Sequence, residues 1–174
     1  MKTSIAGSII AAVLLACTTA AKQPPVVEKW EVTPQGIGPV RAGMSIAEAN
    51  TALNNALVVP ARLEECDYVH PRNGPTGVFF MVEKGKISRG EVREGEVATR
   101  EGARIGDTED RIKSLYGSQV TVQPHKYTDG HYLVVTPKNP ADSAYRIVFE
   151  TDGKTVERYR SGKLPAVQYV EGCS

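Results

Sequence analysis

Apolar residues recur every three or four positions between residues 45 and 57, which is the period of an α-helix. Ser45 opens the segment and Glu48 follows three residues later, the order of a capping box. The apolar side chains then share one helix face: Ile46, Ala49, Leu53 and Leu57. The pattern predicts a short helix that packs this face on a core.

A second segment, 107–117, has the same organisation. Asp107 or Thr108 can cap the start of a helix, and Gly117 suits the left-handed position that follows a helix end. The apolar face consists of Ile112, Leu115 and Tyr116. We therefore expect a second short helix.

Strand patterns follow each of these helices. Two apolar-rich runs flank Gly85 in GVFFMVEKGKISR, and two more flank Gly153 in YRIVFETDGKTVERYR. Asp129-Gly130 marks a further tight turn, because both residue types tolerate the backbone angles of hairpin turns. The run 144–151 alternates apolar and polar side chains, which is typical of a strand with one buried and one solvated face.

The order of helix and hairpin occurs twice along the chain, which indicates an internal duplication. We predict one α+β domain over residues 30–174, made of two tandem helix-plus-antiparallel-strand units at about 36–95 and 102–170. The helices of both units are expected on one face of the sheet. An eight-stranded barrel and two separate small domains are the alternatives, and the second is less favoured because no linker divides the halves.

The start of the chain has the features of a signal peptide, over residues 1–16. Lys2 precedes an apolar run, 5–16, that is shorter than the roughly 20 residues needed to span a bilayer as a helix. Residues 17–29 contain small residues and a Pro-Pro pair without a helix or strand period. They are predicted to form a flexible tether.

Leu14-Leu15-Ala16-Cys17 resembles the lipobox of bacterial lipoproteins. The resemblance implies that Cys17 becomes the first mature residue and is acylated. Residue 18 is a threonine and not the aspartate that retains lipoproteins of enteric bacteria in the inner membrane. We therefore expect an outer-membrane lipoprotein facing the periplasm. Ordinary signal peptidase cleavage at Thr19-Ala20-Ala21 is the alternative.

Three cysteines are an odd number for an exported chain, and lipidation of Cys17 accounts for one of them. The remaining pair, Cys66 and Cys173, would enter an oxidising compartment and is predicted to form a disulfide. Two free buried thiols are the alternative. A zinc site is disfavoured, because the cysteines are far apart and no histidine pair has ligand spacing.

The net charge of +1 provides no global field that would favour nucleic acid, and membrane contact is expected through the lipid anchor only. Arginine and tyrosine are enriched at interface hot spots. Six such residues lie near the predicted hairpin arms and are candidates for contact with a protein partner: Arg89, Arg93, Arg158, Tyr159, Arg160 and Tyr169. A solvated outer sheet face is the simpler interpretation.

Candidates for chemistry are few. His125 and His131 flank the Asp129-Gly130 turn, so their rings could meet across a hairpin and, with Asp129, hold a metal weakly. The acidic run 64–67 could offer Glu65 and Asp67 on one strand face, but calcium loops need more oxygen ligands. No nucleophile, metal or cofactor motif is recognisable, so we expect a non-catalytic protein without a cofactor.

A short recurring motif gives a family resemblance. It comprises an isoleucine and a glycine, then Gly43-Met44-Ser45 or Gly106-Asp107-Thr108, then a short helix. This motif resembles the modules of the β-lactamase inhibitory protein and of small outer-membrane lipoproteins that assist barrel assembly. The resemblance implies a protein that binds a partner in the cell envelope, either as an inhibitor of an envelope-active enzyme or as an assembly factor. A small-ligand binder, metal binder or enzyme with a site near His125, Asp129 and His131 is the alternative.

Overall fold

The structure is a computed structural model that describes residues 29–173. The predicted signal peptide, the predicted acylation site Cys17 and the predicted tether up to residue 28 lie outside the described residues. In chain order the elements are β1 (Glu31–Thr33), β2 (Gly36–Ile37), β3 (Val40–Arg41), α1 (Ile46–Ala52), β4 (Leu57–Val58), β5 (Cys66–Pro71), β6 (Val78–Glu83), β7 (Lys86–Val92), β8 (Ala98–Thr99), α2 (Glu109–Tyr116), β9 (Val120–Pro124), β10 (His131–Val135), β11 (Tyr145–Thr151) and β12 (Val156–Lys163).

The strands form two sheets. The larger sheet has eight strands in the order β4-β5-β6-β7-β12-β11-β10-β9, and every pair is antiparallel. Its two halves meet where β7 pairs with β12, with Tyr159 opposite Val92 and Gly162 opposite Arg89. The smaller sheet has the order β3-β2-β1-β8, in which β1 and β8 run parallel.

The main core lies between one face of the larger sheet and a layer made of the smaller sheet and the helices. Val32, Ile37 and Val40 of the smaller sheet are fully buried, as are Phe80 and Phe149 of the larger sheet. The two sheets approach closely at Gly90, where an added Cβ would lie 2.8 Å from the side chain of Ile37. Glycine is therefore required at this crossing.

Both helices begin as the sequence predicts. At α1 the Ser45 N–H donates to Glu48 Oε2 at 2.7 Å and the Glu48 N–H donates to Ser45 Oγ at 3.2 Å, so the capping box is confirmed. Thr108 caps α2, and Gly117 follows it with φ of 55°. The helices contain only seven and eight residues.

Across residues 29–173, no helix combines the length and the apolar character that crossing a membrane requires.

The predicted α+β fold of tandem helix-plus-strand units is wrong. Strands make up 40% of the structure and helices 17%, so the fold is β-rich. Helices of about two turns cannot cover a sheet face, and much of that cover comes from the smaller sheet. Two strands of this sheet lie outside the predicted units, because β1 precedes 36–95 and β8 lies between 36–95 and 102–170, yet the two strands pair with each other.

The chain ends in a segment that crosses the other face of the larger sheet. We call residues 164–173 the C-terminal strap. It includes a single 3-10 turn, Ala166–Gln168, and it ends at Cys173. Val167 of the strap is fully buried against Tyr132, Val134 and Val148, which form a second, smaller core.

The predicted disulfide is confirmed. Cys173 is bonded to Cys66 on β5, with 5.3 Å between the two Cα atoms and a sequence separation of 107. The bond fixes the free end of the strap to a strand of the opposite half of the larger sheet.

Loss of the disulfide should destabilise the protein substantially. Replacing Cys66 and Cys173 together by serine releases a loop of 107 residues, for which the chain-entropy relation gives about 4 to 5 kcal/mol. Denaturant unfolding of the wild-type and the double variant measures the difference. Equal free energies of unfolding would show that the remaining strap contacts suffice.

Candidate binding site

The second face of the larger sheet, which points away from the smaller sheet, carries a row of charged side chains. Arg89, Glu91 and Arg93 alternate with apolar or small residues on and just after β7, so they share one face. Glu91 bonds to both arginines: Arg89 Nη2 lies 2.7 Å from Glu91 Oε1, and Arg93 Nε lies 2.7 Å from Glu91 Oε2. Arg89 and Glu91 are buried, whereas 38% of the Arg93 side chain is exposed.

Aromatic rings fix the outer end of this row. The guanidinium carbon of Arg93 lies 4.3 Å from the ring centroid of Tyr68 and 4.5 Å from that of Phe79. Cations over aromatic faces are attracted by the ring quadrupole. The Tyr68 hydroxyl also donates to Glu91 Oε1 at 2.8 Å. Arg93 is therefore held by a carboxylate and by two rings.

The ionisation of Glu91 is set by its neighbours. Burial alone would raise its pKa, but the charges of Arg89 and Arg93 and the bond from Tyr68 outweigh burial and hold the pKa below the ordinary value of 4.5. Burial and the charge of Glu91 raise the pKa of Tyr68 above 10.0. At neutral pH the carboxylate is charged and the phenol keeps its proton.

A second carboxylate, Glu150 on β11, organises the neighbouring strand. Its Oε1 accepts from Arg158 Nε at 2.9 Å and Nη2 at 2.6 Å, and its Oε2 accepts from Arg160 Nη1 at 3.1 Å. His125 Nε2 lies 3.1 Å from Oε1. Burial opposes ionisation of Glu150, but the bonds from Arg158 and His125 and the charges of the arginines hold its pKa below 4.5.

Two buried arginines attach the C-terminal strap to these carboxylates. Arg89 Nη1 donates to the carbonyl oxygens of Ala166 and Tyr169, both at 2.8 Å, and Arg160 Nε donates to that of Val167 at 2.7 Å. Each arginine thus bridges a glutamate on the sheet and the backbone of the strap. The strap position follows from the charge pattern on β7 and β12.

A cavity of about 220 Å³ lies between the strap and the sheet. Its walls include four arginines and three glutamates: Arg89, Arg93, Arg158, Arg160, Glu91, Glu150 and Glu171. Glu171, at the strap, is paired with Lys126 at 3.3 Å and accepts a hydrogen bond from the Tyr127 hydroxyl. The cavity therefore has a net positive wall.

The residues proposed to contact a partner occupy three different settings in the structure. Arg93, Arg158 and Tyr169 are exposed around the cavity, whereas Arg89 and Arg160 are buried and hold the strap. Tyr159 lies on the opposite, core-facing side of β12, 1% exposed, with its ring centroid 5.2 Å from that of Phe149. Its side chain is not available to a partner, because alternation along β12 turns it away from Arg158 and Arg160.

The structure does not bring the histidines of the Asp129-Gly130 turn together. His125 Nδ1 accepts the N–H groups of Tyr127 and Thr128, both at 3.1 Å, so its proton lies on Nε2 and is donated to Glu150. His131 Nδ1 instead lies 2.7 Å from Glu109 Oε1 on α2, on the core side of the sheet. Residues 29–173 contain no group of three or more His, Cys, Asp or Glu side chains arranged to hold a metal ion.

The acidic run 64–67 also forms no site with these histidines. Glu64 and Glu65 are exposed, and Asp67 Oδ1 accepts the Tyr68 N–H at 2.7 Å.

Sequence reasoning missed Glu91, Glu150 and Tyr68. A signal for Glu91 was present, because Arg89-Gly90-Glu91-Val92-Arg93 alternates charges at the strand period. Glu150 had no such signal, since its contacts with Arg160 and His125 depend on strand pairing and on the β9–β10 turn. The strap contacts depend on tertiary structure in the same way.

Comparisons of the chain with protein-family models, with curated proteins and with solved structures found no match in any of the three. The function must therefore be inferred from the site itself.

Glu150→Gln should destabilise the protein at pH 7 by about 3 to 5 kcal/mol, because it leaves the buried Arg160 without its carboxylate. Because the pKa of Glu150 is lowered in the folded protein, its charge stabilises the native state at pH values above 4.5, the ordinary pKa. This contribution is lost as the pH falls through the folded pKa. The variant should therefore lose less stability than wild type as the pH falls below about 4.5. Urea unfolding at several pH values measures both effects.

Glu157→Gln is the matched control, since Glu157 is an exposed glutamate on the adjacent strand β12. It should change the stability at pH 7 by no more than about 0.5 kcal/mol. A Glu150→Gln variant with the same pH dependence as wild type would contradict the charge network.

Proposed function

We propose that the chain is a non-catalytic, exported, lipid-anchored protein that binds a protein partner in the cell envelope through the surface around the strap cavity. The carrying observation is that exposed arginines and aromatic rings surround a cavity whose walls are fixed by buried ion pairs and a disulfide. A prearranged surface loses little conformational entropy when it binds. The disulfide is consistent with export to an oxidising compartment.

Exposed aromatic side chains support the same surface. Among the described residues, three large hydrophobic side chains are markedly exposed; one of them, Tyr169, belongs to the strap, and another, Tyr127, bonds to Glu171 of the strap. Tyrosine combines a large apolar ring with a polar hydroxyl, which suits an interface that is dry in the complex and wet without it. Arg93 and Arg158 add exposed guanidinium groups on the same face.

Some of the proposed contact residues have a different role in this proposal. Arg93, Arg158 and Tyr169 are the residues that touch the partner. Arg89 and Arg160 position the strap and the carboxylates from beneath. The motif resemblance to an inhibitor and to assembly lipoproteins is consistent with partner binding and does not choose between the two.

Site-specific crosslinking tests the proposal in intact cells. A photoreactive amino acid at position 169 of the full chain should form a discrete crosslinked species, because Tyr169 is 41% exposed beside the cavity. The matched control places the same group at position 111, an exposed arginine on α2 on the opposite side of the sheet. Arg158→Glu should weaken the crosslink at position 169.

Mass spectrometry of the captured species identifies the partner. An enzyme whose activity the purified protein blocks would indicate an inhibitor, and outer-membrane assembly machinery would indicate an assembly factor. Equal labelling from positions 169 and 111, or labelling from 111 alone, would place the contact surface elsewhere and contradict the proposal.

A further inference from the structure

The walls of the strap cavity carry more unused hydrogen-bond donors than unused acceptors. Both oxygens of Glu91 accept bonds, from Arg89 and Tyr68 on one side and from Arg93 on the other. Both oxygens of Glu150 are also engaged, by arginines and by His125. Every carboxylate oxygen of the two clusters therefore already accepts at least one hydrogen bond.

Donors remain on the arginines of the same wall. Arg93 uses only its Nε in a hydrogen bond within the described part of the chain, and Arg158 uses its Nε and Nη2. Arg93 therefore keeps both terminal nitrogens, and Arg158 keeps Nη1, for a ligand. A group that binds here must accept hydrogen bonds, and a carboxylate matches the planar donor fork of arginine.

The charges on the cavity wall also favour an anionic ligand. The pairing of β7 with β12 ends at Val92 opposite Tyr159, and Arg93 and Arg158 are the next residues of the two strands, both on the wall of the strap cavity. Like charges that lie close together repel each other. Each of these arginines has a glutamate on one side, but each glutamate is shared with a second, buried arginine. An anion between Arg93 and Arg158 would complete the neutralisation.

The size of the cavity limits what can enter. Its volume of about 220 Å³ is below the roughly 300 to 1,000 Å³ of pockets that enclose a drug-sized molecule. Tyr68 lines the cavity, and the rings of Tyr68 and Phe79 lie against Arg93 on its wall. This arrangement suits one side chain that projects from a larger partner.

We infer that the strap cavity binds the carboxylate of an aspartate or glutamate side chain of the protein partner, between Arg93 and Arg158. The inference rests on the proposed function and specifies the chemistry of its contact. Arg93 is presented by Glu91, Tyr68 and Phe79, and Arg158 by Glu150, so both donors are oriented before the partner arrives.

Nuclear magnetic resonance of the arginine Nε–H groups tests the inference with the purified protein. The probe is the blocked peptide acetyl-Glu-Glu-Glu-Glu-amide, and the isosteric control is acetyl-Gln-Gln-Gln-Gln-amide. The glutamate peptide should shift the signals of Arg93 and Arg158, with little effect on Arg111. Arg158→Gln should weaken its binding on the order of tenfold, because a charge-assisted bond is lost.

Arg93→Gln is a second variant with the same expected direction, and Arg111→Gln is the control that should leave the affinity unchanged. Equal binding of the two peptides, or unaltered affinity in both site variants, would overturn the inference. Sodium acetate binding as tightly as the peptide would assign the site to a free small carboxylate, and tighter binding of inorganic phosphate would assign it to phosphate. Either result overturns the assignment to a partner side chain.

The two levels of the proposal fail in different ways. A persistent crosslink from position 169 without peptide binding would remove only the carboxylate assignment. Absence of that crosslink would remove the partner surface itself.

Discussion

The buried pairing of Arg89 with Glu91 is the interaction on which the second face of the sheet depends. Placing an arginine at 3% exposure is costly unless its charge and its donors are satisfied. Glu91 neutralises the charge, and the strap carbonyls of Ala166 and Tyr169 take the donors that Glu91 does not. The C-terminal strap therefore helps to satisfy the buried guanidinium of Arg89, and the disulfide at Cys173 secures the end of the strap.

The same arrangement underlies the proposed preference of the cavity for a carboxylate. Each glutamate is shared by a buried arginine and a more exposed one, Arg89 and Arg93 for Glu91, and Arg160 and Arg158 for Glu150. Sharing engages each carboxylate oxygen in at least one hydrogen bond and leaves unused donors on the exposed arginines. The ion pairs that stabilise the fold thus leave hydrogen-bond donors directed away from the sheet.

Local features of the fold could be predicted from the sequence, because they depend on neighbouring residues. The capping box at Ser45 and Glu48 and the Thr108 cap are examples. The disulfide could also be predicted, from the expected oxidising compartment and the odd number of cysteines, and the structure confirms it. The fold class was wrong, since the pairing of β1 with β8 and the cover provided by the smaller sheet are long-range contacts that no local pattern indicates. For the same reason, the sequence could not distinguish among the six candidate contact residues, although Tyr159 faces the core and Arg89 and Arg160 are buried.

Hydrogen exchange of the arginine Nε–H groups tests most directly whether the strap and the carboxylates hold a preformed site. Nε–H of Arg89 is donated to Glu91 and that of Arg160 to Val167, and both side chains are buried. Exchange at these two groups should be much slower than at the exposed Arg111, since it requires local opening of the strap. Equally fast exchange at all three arginines would show that the strap is not held in this position and would contradict the account.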